Sequence, residues 1–393
     1  MAKEQTRKVT NGAIINCRGH YIQELTGSSG TVYTNFHEFD PDRLGYQLED
    51  YLLSSSADSS VVSKRNEREH KFYIAETPQG NKVFVKRVRR HSNELEFYKR
   101  LQEKGVTHPA IIPLLDTIGF RLEQLLVFPF VPASQDVDYS MTLLDFIKLD
   151  MLSRFSEKDQ IIRAIGLGLA DFLDFLNTND MIYLDLKPTN VLYSLADTSP
   201  NAFPLKFIDF ESVKVGERVK NNNVEGKING TTHKKKGYSY KDERTADKKE
   251  NDSLIVRLKD GDNIIFTPLY SAPEILAHDL VLFPQSDVYS LCCILYDFFC
   301  GPREYNGLQE IFAEKIQPRE PSTRKLIIKM KEKMLGDYGF LTPKHAETAE
   351  GLPDDIKEMM VNCFSSVPQD RYTPAKLKLL LEKQIRKYSR PTK

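Results

Sequence analysis

Apolar and polar residues alternate through KFYIAE at 71–76 and KVFVKRV at 82–88, and the TPQGN between them supplies the Pro and Gly of a turn. This pattern predicts a β-hairpin. The period then changes. In HSNELEFYKRLQ, residues Glu94, Phe97, Tyr98 and Leu101 stand at i, i+3, i+4 and i+7, a helical stripe opened by Ser92 as N-cap. Glu94 therefore faces inward with apolar neighbours, while Glu96, Lys99, Arg100 and Glu103 share the solvated face. Two more strands are expected near 114–120 and 124–131, giving a small antiparallel sheet with one helix.

Beyond MTLLDFIK the period is helical. KDQIIRAIGLGLADFLDFLN at 158–177 has a broad apolar stripe, and SDVYSLCCILYDFFCG at 286–301 is apolar almost all round, as a central buried helix would be. Residues 1–57 show no sustained period of 2 or 3.6 and are expected to be an extension or linker. The stretch 212–252 is rich in Lys and Asn, with few apolar residues to offset the entropy of ordering, and is expected to be a mobile insertion. The expected fold class is α+β.

Length and charge narrow the function classes. The chain has 393 residues, 40% of them apolar, enough for two or three folding units with buried cores. Its 55 basic and 55 acidic side chains cancel, so no global charge points to nucleic acid or an anionic membrane. Within the basic insertion, acids are interspersed and no aromatic ladder suited to stacking bases is present, so nucleic acid is not the expected partner. The 5 cysteines are odd in number, Cys292 and Cys293 are adjacent, and their spacing resembles no zinc-ligand set, which fits a reducing compartment. The N-terminus lacks a signal peptide's apolar core, and no run approaches the roughly 20 apolar residues of a membrane span. A soluble cytoplasmic protein without a membrane partner is expected, with a nuclear location left open.

One order of residues carries chemistry. Lys86 ends a strand, Glu94 lies on the inner face of the next helix, and LDLKPTN (184–190), FIDFE (207–211) and TPLYSAPE (267–274) follow. In this order, over roughly 58–388, the sequence resembles the eukaryotic-type Ser/Thr protein kinase family. The resemblance implies a bilobal fold, with a β-sheet N-lobe at 58–131 and a mainly α C-lobe at 132–388. It also implies ATP and Mg²⁺ as cofactors and a protein substrate carrying Ser or Thr hydroxyls.

The resemblance assigns roles residue by residue. Lys86, paired with Glu94, contacts the α- and β-phosphates, across an interval shorter than is usual in the family. Asp185 accepts or orients the substrate hydroxyl proton, and Lys187 stabilises the transferring phosphoryl charge. Asn190 and Asp209 are the magnesium ligands, two hard oxygens with the other positions left to phosphates and water. Phe128 is the gatekeeper, with the Pro129 carbonyl and Val131 amide toward the purine. Thr267 and Glu274 belong to the substrate-docking segment, Glu274 paired with Arg371 of PQDRYTP, and Asp287 braces the catalytic loop.

Several positions depart from the family. The phosphate-covering loop, counted back from Lys86, falls on RNEREH at 65–70, which has no glycine to bring backbone amides close to phosphate. GSSGTVY at 27–33 looks more like that loop but lies far upstream. Tyr183 and Leu184 replace His and Arg, and Leu184 cannot bind a phosphate on the activation segment, which suggests activity independent of phosphorylation there. Glu211 replaces the glycine after Asp209-Phe210. Two other readings stay open on these grounds: a weak or inactive pseudokinase scaffold, and a kinase-like phosphotransferase for small molecules.

Overall fold

The computed structural model describes residues 22–38, 72–120, 123–135, 140–196, 203–220, 252–258, 267, 269–276, 281–303 and 341–388. The chain divides into two units, Met1–Met141 with Leu192–Ile208, and Thr142–Val191 with Asp209–Lys393. The first break falls after Met141, so 132–141 stay with the first unit. Local bonds hold the intervening residues: Ser140 Oγ donates to the Val131 carbonyl, Ser194 Oγ to the Pro132 carbonyl and Tyr193 N–H to the Met141 carbonyl.

The first unit is built on β1 (Ile22–Thr26), β2 (Val32–Glu38), β3 (Phe72–Glu76), β4 (Lys82–Arg89), β5 (Asp116–Phe120) and β6 (Glu123–Pro129). All six join one sheet in the order β1-β2-β3-β4-β6-β5, and every neighbouring pair is antiparallel. Alternation sorts the side chains. Val83, Val85, Leu125 and Val127 enter one cluster with Tyr33, Phe36, Tyr73, Ala75 and Ile118. Leu126 and Phe128 enter a second with Val88, Leu95, Ile112 and Leu192. This second face is covered by α1 (Asn93–Lys104), whose N-cap Ser92 accepts from Leu95 N–H and whose Gly105 closes it in the left-handed region.

The segment expected as a featureless extension thus contributes two strands. Its alternation is broken at Asn35, which sits at φ 54 where the β2–β3 register shifts between Thr34 and His37. The bulge turns both Tyr33 and Phe36 inward, a spacing of three that hides a strand from any search for period 2. A latch completes the hairpin. Ser28 Oγ donates to Asp116 Oδ1 at 2.7 Å, Ser29 Oγ donates to Oδ2, and Ser28 N–H donates to the Thr117 carbonyl at 2.8 Å, joining the first turn to β5. Burial pushes the Asp116 carboxyl up, but its hydrogen bonds from Ser29, Ser28 and the Thr117 amide outweigh burial and hold it below the ordinary value.

A pH dependence follows, because a carboxyl depressed in the fold stabilises it fully above its unfolded pKa and ceases to do so as pH falls through the folded value. Exchange of the Ser28 amide, corrected for intrinsic rate, should be slow at neutral pH and accelerate toward acid. Gly27→Ala should remove the effect, since a Cβ there would stand 1.8 Å from Asp116 Oδ2. Exchange at Ser28 that stays flat with pH in the unaltered chain would count against the latch.

The second unit is mainly helical: α2 (Leu143–Lys148), α3 (Lys158–Thr178), α4 (Pro273–Leu276), α5 (Gln285–Cys300), α6 (Pro343–Thr348), α7 (Asp354–Cys363) and α8 (Pro374–Tyr388). Helices α3 and α5 carry its core. Arg163 of α3, 1% exposed, ties three helices by donating to both Asp355 oxygens at 2.8 and 3.0 Å and to Gln384 Oε1 at 2.7 Å. Short strands complete the unit: β7 (Met181–Ile182), β10 (Lys214–Val215), β11 (Glu217–Lys220), β12 (Asp252–Arg257) and β13 (Val281–Leu282), while β8 (Val191–Tyr193) and β9 (Leu205–Phe207) pair with each other and, Val191 apart, belong to the first unit. The expected insertion at 212–252 is therefore paired at both ends, and its centre, 221–251, lies outside the described residues.

Candidate active site

Each unit carries its own group of candidate residues. In the first, the parity of β4 turns Phe84 and Val88 toward α1, and Lys86 lies between them on that face. Lys86 Nζ stands 2.6 Å from Glu94 Oε2, with the side chains 12% and 2% exposed. A carboxylate this deeply buried is tolerable only when paired, and the cation fixes the rotamer of both partners. Phe128 is buried and its ring lies 5.6 Å from that of Tyr98. Pro129 pairs with Val83 at the end of β6, and Val131 packs against the second cluster.

Of the two segments considered for covering phosphates, GSSGTVY is the one that lies among the described residues. The GSSG turn joins β1 to β2, and because Thr34 pairs with Glu76 it lies at the same end of the sheet as the turn at 77–81. Phe72, which opens β3, instead pairs with Lys86 at the other end. The connection that enters β3 there is 39–71, so RNEREH lies outside the described residues, and GSSGTVY is committed to Asp116.

In the second unit the loop after β7 is shaped by Asp287. Its Oδ2 accepts the Tyr183 N–H at 2.7 Å and its Oδ1 the Leu184 N–H at 2.8 Å. Burial pushes this carboxyl up to about 7, against the two N–H donors that favour its charged form. Leu184 at φ 70 and Asp209 at φ 63 are both left-handed, a conformation costly for Leu and tolerated by Asp. The rings of Phe172, Tyr183 and Phe210 pack together, with Tyr183 and Phe210 edge to face at 5.9 Å, so Tyr183 fills the core where the resemblance expects His.

Asp185 is 5% exposed and surrounded by donors. Thr267 Oγ1 donates to its Oδ1 at 2.9 Å, Asn190 Nδ2 to its Oδ2 at 3.2 Å, and Lys187 Nζ stands 3.5 Å from Oδ2. Asn190 also donates to the Asp185 carbonyl at 3.0 Å, which turns its own Oδ1 away from that loop. That oxygen is buried and has no hydrogen-bond partner among the described residues. A buried acceptor without a donor is what a hard cation requires, so Asn190 Oδ1 and the Asp209 carboxylate fit magnesium. Among the described residues, no cluster of three or more His, Cys, Asp or Glu is arranged to hold a metal.

The TPLYSAPE segment is held from two sides. Glu274 accepts Arg371 Nη1 and Nη2 at 2.7 and 2.9 Å and Ser286 Oγ at 2.7 Å. The second clamp was not anticipated from sequence. Asp297, 1% exposed, accepts Tyr270 Oη at 2.8 Å and Arg303 Nε at 2.6 Å, while Arg303 Nη1 donates to the Leu269 carbonyl at 3.0 Å. The one available signal was a lone carboxylate inside the apolar run ILYDFFC.

Comparison with known proteins agrees in kind. A family model for the protein kinase domain matches residues 248–381. The chain is 24% identical over 312 residues to a protein kinase and PP2C-like domain-containing protein of Arabidopsis thaliana, covering 77% of this chain and 40% of that protein. It is 25% identical over 232 residues to the probable serine/threonine-protein kinase MARK-C of Dictyostelium discoideum, covering 58% and 22%. It is 28% identical over 172 residues to the dual specificity tyrosine-phosphorylation-regulated kinase mbk-2 of Caenorhabditis elegans, covering 44% and 19%. The chain thus spans less than half the length of each of these relatives. Among the described residues, no helix is long and apolar enough to cross a membrane.

Proposed function

We propose that this member of the eukaryotic-type protein kinase family transfers the γ-phosphate of ATP to serine and threonine hydroxyls of protein substrates. The observation that carries the reading is the set of donors around Asp185, with the acceptor oxygen of Asn190 left over beside it. A scaffold would have no need for a buried carboxylate surrounded by Thr267, Asn190 and Lys187.

The roles follow from chemistry. Phosphoryl transfer asks a protein mainly for positioning and charge neutralisation. Lys86, fixed by Glu94, supplies a cation for the α- and β-phosphates. Asp185 accepts the proton of the acceptor hydroxyl as its oxygen bonds to the γ-phosphorus and the bond to the β-phosphate oxygen breaks, leaving ADP. Lys187 offsets charge on the transferring group, and Thr267 holds Asp185 in its rotamer. Magnesium, when bound, neutralises the phosphates; Asn190 Oδ1 and Asp209 are the oxygens that would hold it.

The test is transfer of labelled γ-phosphate from ATP to a protein mixture and to the chain itself, with and without magnesium, comparing wild type with Asp209→Ala. Asp209→Ala should lower turnover by about 10²-fold or more, as for other losses of transition-state charge stabilisation. Label on Ser and Thr in the wild type alone supports the reading. Label on small alcohols but not on protein would move the substrate to metabolites, and no label from either form would leave a scaffold.

A further inference from the structure

Leu184, buried and apolar, stands where the family resemblance places an arginine that grips a phosphate on the segment after Asp209. Other contacts hold the start of that segment. Lys214 and Val215 pair with Ile182 and Met181, and Gly216 N–H donates to the Asp180 carbonyl at 2.8 Å. Arg218 Nε donates to Asp180 Oδ1 at 3.0 Å, and its Nη2 donates to the Asn177 carbonyl. The chain then runs as β11 antiparallel to β12, with Lys220 opposite Asp252, and β12 pairs in turn with β13 through Val256 to Leu282 and Arg257 to Val281.

These contacts close a ring. The ladder starts at Asp180, shortly before Asp185, and ends at Leu282, shortly before Asp287, and Asp287 binds the backbone of Tyr183 and Leu184 next to Asp185. Leu254, Ile255 and Val256 are buried, so β12 is anchored by apolar contact as well as by hydrogen bonds. Gly216 is required by the geometry: a Cβ there would lie 2.5 Å from the Ile255 carbonyl oxygen and 2.7 Å from Leu254 Cδ1. The Arg218 and Asp180 side chains are 37% and 31% exposed, so their ion pair sets direction more than it adds stability.

We propose that this ladder, with Arg218 as a positioning residue, is a built-in anchor that keeps the segment after Asp209 in its working conformation without a phosphate. Residues 221–251, which leave at Lys220 and return at Asp252, are then dispensable for phosphoryl transfer. The inference rests on the phosphotransfer reading above for its kinetic consequence, and on exchange protection alone for the anchoring itself.

The experiment uses the full chain after phosphatase treatment, with loss of phosphate checked by mass. It compares wild type, Arg218→Met, Arg218→Lys, Gly216→Val and a variant in which 221–251 is replaced by a short Asn-Gly turn. Two readouts are taken together: amide exchange at 216–220 and 253–257, and kcat and KM for transfer. Wild type and the excision variant should keep their protection and lie within about 2-fold of untreated protein in kcat. Gly216→Val should lose protection and about 10-fold or more in kcat with the KM for ATP little changed, the signature of misplaced rather than missing groups. Arg218→Met, the milder change should Gly216→Val not fold, should lose part of both, and Arg218→Lys should restore part.

Phosphatase treatment that strips protection from 216–220 and lowers kcat about 10-fold or more would overturn the anchor while leaving the phosphotransfer reading intact. Protection retained with no transfer in any form would support the anchor and overturn the phosphotransfer reading.

Discussion

Asp185→Asn should lower kcat by about 10²–10⁴-fold while ATP affinity changes by no more than about 2–3-fold, the range expected when a general base is lost and ground-state binding is not. The carboxylate has two tasks that an amide cannot share. It must accept a proton from the incoming hydroxyl, and it must accept the hydrogen bonds of Thr267 and Asn190 at its two oxygens. An amide offers one acceptor, and its N–H₂ would face one of these two donors. Because Asp185 is 5% exposed, water cannot fully repair that mismatch. Part of the loss will therefore come from displaced neighbours, and Thr267→Val separates the parts. Removing Thr267's donor frees a rotamer of Asp185 but leaves a base, so its kcat should fall less than that of Asp185→Asn. Transfer by Asp185→Asn at more than about one tenth of the wild-type rate would remove Asp185 from the role of base.

The residues that could be read in advance are those whose environment is set by near neighbours in sequence. Ser92 and the stripe through Glu94, Phe97 and Leu101 predict α1, and the helix that forms buries Glu94 against Lys86, one strand away. The hairpin at 72–89 was legible because TPQGN is a turn by composition and both strands alternate. Hairpin β1–β2 was not, because Asn35 inserts a bulge and because the polar GSSG turn is bound by Asp116, a partner 87 or more positions away. Strand β11 was illegible for a related reason: ERVK has no apolar face of its own, and it becomes a strand only against the apolar LIV of β12.

The candidate site divides along the same line. Motif order singled out Asp185, Asn190, Asp209 and Asp287 as candidates, but no pattern in the sequence states that the Asn190 amide spends its nitrogen on Asp185 and so frees its oxygen. Nor does it state that Asp297 lies under Tyr270 and Arg303. Both are facts of tertiary placement. The resemblance gave the residues their names, and the hydrogen bonds give them their directions.

Arg371→Met should be the most destabilising single change in the second unit, by about 3–5 kcal/mol, the cost of leaving one partner of a buried ion pair unmatched. Arg371 is 3% exposed and Glu274 4%. The guanidinium meets the carboxylate at two points, 2.7 and 2.9 Å, and also donates to the Ser365 carbonyl at 2.8 Å and the Gln285 carbonyl at 3.2 Å, with its plane over the Tyr289 ring at 5.1 Å. Methionine fills the volume but leaves the Glu274 carboxylate with Ser286 Oγ as its remaining donor among the described residues and takes a donor from the half-buried Ser365 and Gln285 carbonyls. Thermal unfolding should shift down by roughly 6–20 °C, taking about 2–4 °C per kcal/mol for a unit of this size. The double change Arg371→Met with Glu274→Leu removes the stranded charge and should recover much of that loss, as buried pairs replaced whole by apolar groups do. Its kinetics should not recover in step, because Glu274 closes the TPLYSAPE segment in the first turn of α4, and the ion pair ties that segment to the turn before α8 that carries Arg371 and, through the Gln285 carbonyl, to the start of α5. A double variant that regains stability but not kcat assigns the pair to positioning; one that regains both would reduce it to a structural contact, and an Arg371→Met protein as stable as wild type would refute the burial argument itself.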